Sequence, residues 1–147
     1  MKSLLKVVHL VSLSIFIGSI ATYIFFGTLI PAGSEMAMEL NREWIAKSTL
    51  YLTIGSIWST GLTGILMSGK PKELWLWGKV LGFICIAVNT HLFIYPAIIE
   101  SKSSLGTNSD VFQSAMQQEA IFGAVNIIII LFMVFIAVLK PAFSKKS

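Results

Sequence analysis

Charged residues are scarce in this sequence. Asp, Glu, Lys and Arg together supply 12% of its 147 residues, whereas hydrophobic residues supply 55%. So few charged side chains cannot cover the surface of a soluble globular domain, and the mean hydropathy of +0.81 points the same way. The composition therefore predicts an integral membrane protein.

Cysteine and the familiar enzyme motifs are also lacking. Cys85 is the only cysteine, which excludes an intrachain disulfide and a cysteine-based zinc site. Glycine-rich phosphate loops, carboxylate pairs at catalytic spacing and Ser/His/Asp sets are missing, so the common soluble enzyme classes are not indicated. The alternation of membrane β-barrel strands is missing too, and long isoleucine, leucine and phenylalanine runs satisfy their backbone groups best as helix. The predicted fold class is all-α.

Four apolar stretches reach the length of about 20 residues that a helix needs to cross roughly 30 Å of hydrocarbon. They cover residues 4–30, 48–67, 74–99 and 115–139. Short loops join them, which predicts one transmembrane domain over residues 1–147, an integral membrane four-helix bundle with up-down-up-down topology. The first stretch is longer than the roughly 7–15-residue core of a signal peptide, so we expect it to be retained.

The connections between spans carry local signals. Residues 39–44 are expected to form a short interfacial helix between the first two spans. In the serine-rich 100–114 loop, a turn followed by a helix N-cap predicts that the fourth helix begins near residue 110.

Basic residues fall unequally on the two sides of the predicted bundle. Lys and Arg resist translocation, so the richer side is expected to be cytoplasmic. That side holds Lys2, Lys6, Lys70, Lys72, Lys79, Lys140, Lys145 and Lys146, and the other holds Arg42, Lys47 and Lys102. Both termini are therefore predicted to be cytoplasmic, in the inner (cytoplasmic) cell membrane. Anionic lipid is the partner that such lysines indicate, and nucleic acid is not implied.

Polar and small residues at helical spacing mark the faces that the spans turn toward one another. The first span gives His9, Ser12, Phe16, Ser19 and Tyr23, and the second gives Thr53, Ser56, Thr60, Thr63 and Met67. The third gives Lys79, Gly82, Ile86 and Asn89, with His91 about 120° away from Lys79. The fourth gives Glu119, Phe122, Asn126, Ile129 and Met133. Most of these side chains are expected to serve helix packing and interhelical hydrogen bonds.

Four ionisable residues invite a function, because placing such a group in hydrocarbon costs roughly 2.5–3.5 kcal/mol. They are His9, Lys79, His91 and Glu119. His9 is about 5 residues from the cytoplasmic end of its span and His91 about 16 from that of its own, an offset of roughly 16 Å. One haem iron clamped by both within a single bundle is therefore disfavoured.

Counting residues from the cytoplasmic end of each span predicts two depths in the membrane, an inner and an outer level, at which candidate functional side chains lie. Met67, Lys79 and Met133 share the inner level with His9, whereas the outer level holds His91 together with Thr53, Asn89, Tyr95, Glu119 and Asn126. An inner histidine with methionines nearby can hold haem iron as a His/Met pair or through His alone, and it can bind copper through thioether sulfur. The spacing does not choose between these, and a structural histidine, packing methionines and side chains of Lys79 and Glu119 that reach the two surfaces are the alternatives.

Several segments resemble the HemJ, CopD and DUF2269 group of small membrane proteins. In that group, a histidine of the first helix is followed about nine residues later by a glycine, as in Lys6-Val-Val-His-Leu-Val-Ser-Leu-Ser-Ile-Phe-Ile-Gly18. Other matching segments are Thr53-Ile-Gly55 with Gly61 and Gly64, the Trp-x-x-x-Lys motif Trp75-Leu-Trp-Gly-Lys79, and Glu119-Ala-Ile through Leu139-Lys-Pro141. The resemblance covers all four spans.

This resemblance implies a haem-b-binding membrane redox protein that oxidises protoporphyrinogen or transfers electrons. His9 would be the haem ligand, and Lys79 would lie near a porphyrin carboxylate. His91 is close to the sequence position at which many members carry a second histidine. Porphyrin or quinone is the expected substrate class, and a homo-oligomer is left open. The alternatives are a copper-handling or small-substrate permease component of the CopD type, with His9, Met67 and Met133 binding metal, and a non-catalytic membrane subunit.

Two departures from the group bear on the oxidase activity more than on the fold. Phe16 stands where the group usually has tryptophan, and residues 23–31 lack the arginine expected after the first helix of a HemJ enzyme.

Overall fold

The computed structural model describes residues 2–29, 34–68 and 73–143, and all its regular structure there is helical. The helices are α1 (Lys2–Leu29), α2 (Glu35–Ser48), α3 (Gly55–Ser68), α4 (Leu74–Asn89), α5 (Tyr95–Ser104) and α6 (Ser109–Phe143). A π-helical turn, Thr49–Ile54, joins α2 to α3, and a second, Thr90–Ile94, joins α4 to α5. Lys70, Lys72, Lys145 and Lys146, which enter the predicted orientation, lie outside the described residues, as does Pro31.

Through the two π-helical turns, the described residues form four continuous helical stretches. Each contains a segment long and apolar enough to cross a membrane: Ser3–Phe25, Glu35–Ser68, Trp75–Ser104 and Ser109–Leu139. Two features of the sequence prediction, the all-α class and four helices of spanning length, are confirmed.

The second stretch begins at Glu35, well before the predicted residue 48. No proline or glycine interrupts residues 35–48, so nothing breaks the helix there. Packing also favours it, because Ile45 and Ala46 are buried against Ile98 of α5. The segment predicted as a connection with a short interfacial helix is therefore α2, which continues into α3.

The third stretch ends at Ser104, beyond the predicted residue 99. The Ser101 and Ser104 hydroxyls donate to carbonyls of their own helix at 2.9 and 2.7 Å, so these serines do not disrupt it. The chain turns only at Gly106, whose φ of +73° suits a glycine. Asn108 Oδ1 then accepts the Val111 N–H at 3.1 Å and caps α6, which begins at Ser109.

Two pairs of helical stretches run in opposite chain directions. Along α1, the polar pairs with the second stretch are His9–Thr63, Ser12–Ser59, Ser19–Thr53 and Tyr23–Thr53, so numbers rise on one helix as they fall on the other. Along α4 and α6, the close approaches are Gly78–Ile136, Gly82–Met133 and Asn89–Asn126, in the same opposite order.

Two apolar clusters fill the interior between these pairs. The first joins α1, α3 and α4, and it consists of Phe16, Ile57, Ile86 and Ala87, with Phe83 and Met133 packed against it. The second consists of Ile45, Ala46 and Ile98 at the other end of the bundle. Large apolar side chains such as Leu66, Leu81 and Ile128 are exposed on the outward faces, as expected of helices surrounded by lipid.

The first π-helical turn changes the direction in which the second stretch faces. A π turn holds more residues than an α turn, so side chains beyond it are rotated relative to those before it. Arg42, before the turn, faces Ser101 and Glu119 of α5 and α6. Thr53, within the turn, faces Ser19 of α1.

Close helix approach depends on glycine at one position of α3. A Cβ atom at Gly61 would lie 2.2 Å from the Phe83 ring, whereas a Cβ at Gly18 would have no neighbour within 4 Å. We expect Gly61→Ala to lower the free energy of unfolding by about 1–3 kcal/mol, because the ring must move.

The matched control is Gly18→Ala, which adds a helix-favouring methyl in open space and should leave stability equal or up to about 1 kcal/mol higher. Thermal unfolding of the purified protein in detergent measures both. Equal melting temperatures for the two variants would contradict the Gly61–Phe83 contact.

Candidate functional site

The His9 imidazole is held by α3 in one tautomer. Its Nδ1 lies 3.0 Å from the Thr60 carbonyl oxygen and 3.0 Å from Thr63 Oγ1. Because a carbonyl oxygen only accepts hydrogen bonds, Nδ1 carries the hydrogen, and Nε2 of the neutral ring keeps its lone pair. Such an Nδ1–H to backbone carbonyl bond is the usual support of a metal-ligating histidine.

Two neighbours complete the set of contacts that hold the His9 ring on α3, which we call the His9 seat. Thr63 Oγ1 donates to the Ser59 carbonyl at 2.7 Å, which leaves a lone pair to accept from His9. A Cβ at Gly64 would lie 3.4 Å from His9 Cε1, an ordinary van der Waals distance, so the ring lies against this part of α3. His9 is half-buried. Thr60 and Thr63 of the predicted polar face, and Gly64 of the segment named in the resemblance, therefore lie beside the first-helix histidine.

Of the other residues predicted for the inner level, the structure places Met67 and Lys79 near the level of His9 and Met133 at a different helix contact. Met67 lies one helical turn beyond Thr63 on α3 and is half-buried. Lys79 Nζ lies 5.1 Å from the centre of the Trp75 ring, one turn before Phe83, whose ring packs on Gly61. Lys79 is thus near the level of His9. Met133 lies elsewhere, at the contact between α4 and α6.

The position of Met133 fits a packing role. A Cβ at Gly82 would lie 2.6 Å from Met133 Sδ, so the thioether fills the space that this glycine leaves. His9 lies on the α1–α3 seam, where its hydrogen bonds are made. The structure therefore does not bring the Met133 sulfur and the His9 imidazole into one donor set.

The donor set around His9 suits some metals better than others. In the described ranges, no three His, Cys, Asp or Glu side chains converge on one point. A bare copper ion needs several protein ligands, whereas haem iron already has its four porphyrin nitrogens and needs only an axial one. A single imidazole with a free Nε2 lone pair fits haem, and Lys79 is a cation near the same level.

His91 occupies a separate groove on the outside of the bundle. Its Nδ1 lies 2.8 Å from the Ala87 carbonyl oxygen, and its Nε2 accepts the Trp58 indole N–H at 3.4 Å. The groove, about 390 Å³ in volume, is lined by Trp58, Phe83, Ile84, Ala87, Val88, His91 and Leu92. At about 100° per residue, Trp58 lies roughly 140–200° around α3 from Thr63 and Thr60. The two histidines therefore contact opposite faces of α3.

Asn89 and Asn126 form a buried network with Thr90. Asn89 Nδ2 donates to the Phe122 carbonyl and to Asn126 Oδ1, both at 2.8 Å. Asn126 Nδ2 donates to Thr90 Oγ1 at 2.9 Å, which links α6 to the second π-helical turn. The predicted meeting of the third and fourth spans occurs here. His91, which the sequence grouped with these residues, points to the opposite side of its helix.

The residue that sequence reasoning missed is Arg42. It was assigned to an external connection, but it is 2% exposed and its Nη1 lies 2.7 Å from Glu119 Oε2 and 3.4 Å from Ser101 Oγ. Glu119 is 19% exposed at its side chain, so this carboxylate is held inside the bundle by Arg42. The signal was present: Arg42 precedes Thr49 by seven residues, two helical turns, with no helix breaker between.

Comparison of the chain with protein-family models, curated proteins and solved structures found no match. Function must therefore be inferred from the side-chain geometry itself.

Removing one partner of the buried ion pair should cost far more than removing an exposed one. Arg42→Ala leaves the Glu119 carboxylate buried without its cation, so we expect the free energy of unfolding to fall by about 3–5 kcal/mol. Lys47→Ala removes a cation whose side chain is 69% exposed and which pairs with Glu43 at 2.9 Å. That control should unfold like the wild-type chain.

Thermal unfolding in detergent measures the difference, and the double variant Arg42→Met, Glu119→Met should recover most of the loss because no unpaired charge remains. An Arg42→Ala protein as stable as Lys47→Ala would contradict a buried pair.

Proposed function

We propose that this chain spans the cytoplasmic membrane as a single up-down-up-down bundle with both termini in the cytoplasm. The four apolar stretches and their opposite pairing directions support the topology. The unequal lysine distribution along the sequence supports the orientation. At about 1.5 Å per residue, the second stretch is roughly 51 Å long, so part of α2 extends past the roughly 30 Å hydrocarbon layer.

Reporter fusions test this orientation. Green fluorescent protein fused after residue 147 should fluoresce, and alkaline phosphatase at the same point should be inactive, because the former folds in the cytoplasm and the latter outside it. The matched control is insertion at Gly106, in the turn between α5 and α6, where the phosphatase should be active. The reverse pattern at the two positions would contradict the proposed orientation.

We further propose that the chain binds haem b with His9 Nε2 as the axial ligand, and that its function is redox chemistry in the membrane. The single observation that carries this proposal is the His9 seat on α3, where the Thr60 carbonyl and Thr63 hydroxyl fix Nδ1 as the protonated nitrogen. When bound, haem would supply one-electron redox chemistry at its iron. Porphyrin or quinone is the substrate class that we propose with it.

Residues around the seat have distinct tasks in this proposal. Thr60 and Thr63 orient the imidazole and fix its tautomer through the Nδ1–H bonds. Lys79, from α4, would hold a porphyrin carboxylate with its positive charge. Phe83, packed on Gly61 and edge-on to Trp58 at 5.9 Å, keeps water from the α3–α4 contact. Copper handling is less well supported, because the Met133 sulfur packs against Gly82 between α4 and α6 and does not join His9 in one donor set.

An absorption spectrum tests haem binding. Protein purified from haem-replete cells should show a Soret band, and His9→Ala should lose most of it because the only supported axial ligand is removed. The matched control is His91→Ala, which removes the other histidine, on the far side of α3, and should retain the band. Thr63→Val should weaken haem retention, since His9 then loses one of its two hydrogen-bond partners.

A colourless wild-type protein, or a Soret band that survives in His9→Ala but disappears in His91→Ala, would contradict this proposal. A colourless protein that co-purifies with a partner would instead favour the role of a non-catalytic membrane subunit.

A further inference from the structure

Buried polar atoms without a hydrogen-bond partner are concentrated on one helical stretch. Within the described part of the chain there are three such side-chain atoms: Arg42 Nε, Thr49 Oγ1 and Thr60 Oγ1. All three belong to the α2–α3 stretch. Arg42 is 2% exposed and Thr49 is 1% exposed, so bulk solvent does not reach them. An unpaired buried polar atom costs about 1–3 kcal/mol, and internal water is the usual partner of such groups.

These atoms lie along a continuous line of polar side chains, which we call the hydroxyl seam. It consists of Arg42, Thr49, Thr53, Ser56, Thr60 and Thr63. All six side chains are buried or half-buried, and the π-helical turn carries the line from the α5 and α6 side at Arg42 to the α1 side at Thr53. From Arg42 to Thr63 the line is roughly 32 Å long at 1.5 Å per residue, close to the thickness of a membrane's hydrocarbon layer.

Both ends of the hydroxyl seam reach groups that bind or carry protons. At one end, Arg42 pairs with the Glu119 carboxylate at 2.7 Å. At the other end, Thr60 and Thr63 contact His9 Nδ1. Between them, α1 adds hydroxyls that bond to the seam: Ser19 and Tyr23 lie 3.0 and 2.8 Å from Thr53 Oγ1.

The asparagine network shows that this pattern is particular to the seam. Asn89, Asn126 and Thr90 are as deeply buried as the seam residues, but their side chains bond to one another and to the Phe122 carbonyl. That network needs no additional partner. The seam holds unpaired atoms at Arg42, Thr49 and Thr60, and each of these is a site where a water molecule can bond.

We propose that internal water occupies the hydroxyl seam, bonds to Arg42 Nε, Thr49 Oγ1 and Thr60 Oγ1, and forms with the seam hydroxyls a proton path between the Arg42–Glu119 pair and the seat of His9. Gaps between consecutive seam residues are about 4.5–10 Å along the helix axis, a distance that one to three water molecules bridge. The proposal does not depend on haem, since the seam is formed by the protein alone.

Proton movement along such a path needs no oxidant or reductant. Each water or hydroxyl oxygen accepts a proton on a lone pair and releases its own proton to the next oxygen, so one proton enters at one end and one leaves at the other. The Glu119 carboxylate is the group that accepts or releases the proton at its end. At the other end of the path in the haem-free protein, His9 releases its Nδ1 proton to Thr63 Oγ1 while its Nε2 lone pair accepts a proton, so the ring stays neutral. Arg42 stays charged throughout, and its pairing with Glu119 limits the local positive charge that would otherwise repel a proton.

Labelling of a single residue makes the first test specific. Arg42 is the only arginine in the sequence, so ¹⁵N-arginine gives one Nε–H signal, and ¹³C-methyl threonine reports Thr49, Thr60 and Thr90 in the same sample. The full-length, haem-free protein in lipid nanodiscs is examined for nuclear Overhauser contacts with water. We expect water contacts at Arg42 Nε–H, Thr49 and Thr60, and none at Thr90, whose hydroxyl accepts from Asn126.

Any other pattern overturns the proposal. Water at Arg42 alone would mean that hydration stops at the ion pair, and water at Thr90 as well would mean general penetration of the bundle. Absence of water at all three seam positions would mean that the unpaired atoms are dry.

The second test uses the sign of a stability change. Thr49→Val keeps the shape of the side chain and removes the hydroxyl. If Thr49 Oγ1 binds water, the variant loses that partnership, and we expect Tm to fall by about 2 °C or more. If the hydroxyl is dry, the variant removes an unsatisfied group, so a Tm equal to or above wild type overturns the proposal. Thr22→Val is the control, because Thr22 Oγ1 bonds to the Gly18 carbonyl of its own helix at 2.7 Å.

Discussion

Helices surrounded by hydrocarbon gain little from burying apolar surface against one another, because the lipid is as apolar as leucine. Hydrogen bonds and ion pairs between helices, together with close packing at small residues, must therefore specify how they associate. This chain has four helical stretches long and apolar enough for that environment, and three sets of polar contacts between them. They join α1 to α3 and the first π-helical turn through His9, Ser12 and Ser19, α4 to α6 through the asparagine network, and α2 to α5 and α6 through Arg42.

These three sets differ in how completely they satisfy their own polar atoms. The asparagine network is closed, so a structural role accounts for it. The His9 seat is incomplete at one atom, since Thr60 and Thr63 bond to Nδ1 while Nε2 keeps its lone pair. The Arg42 contact leaves Nε unpaired although the side chain is buried. We propose functions for the two sets in which a polar atom lacks a hydrogen-bond partner, because a polar atom without a partner in a low-dielectric interior costs free energy.

Hydropathy and helical periodicity predicted much of this arrangement. The four helices of spanning length follow from uninterrupted apolar runs, and Ser19, Thr53, Asn89 and Asn126 lie on the contact faces that polar residues at spacings of three and four predicted. Such signals are local, because each can be recognised from the sequence of one helix alone. The placement of His91 about 120° from Lys79 is of the same kind, and in the structure His91 lines its own groove.

Arg42 and Met133 show where sequence reasoning ended. Arg42 was treated as an external charge because hydropathy falls before residue 48, yet its burial is decided by Glu119 and Ser101, which lie on distant parts of the chain. Met133 shares a depth with His9, but Gly82 determines which seam its sulfur fills. The π-helical turn at Thr49–Ile54 rotates one half of a helix against the other, and a single helical period does not describe it.

The claim on which the proposed function depends is that His9 provides the axial ligand of haem iron. Electron paramagnetic resonance of a His91→Ala protein labelled with ¹⁵N-histidine tests it directly, since His9 is then the only histidine in the chain. Hyperfine coupling of the haem iron to one labelled imidazole nitrogen is the result that the His9 seat predicts. A haem signal without ¹⁵N coupling, or no haem signal in a folded protein, would contradict it.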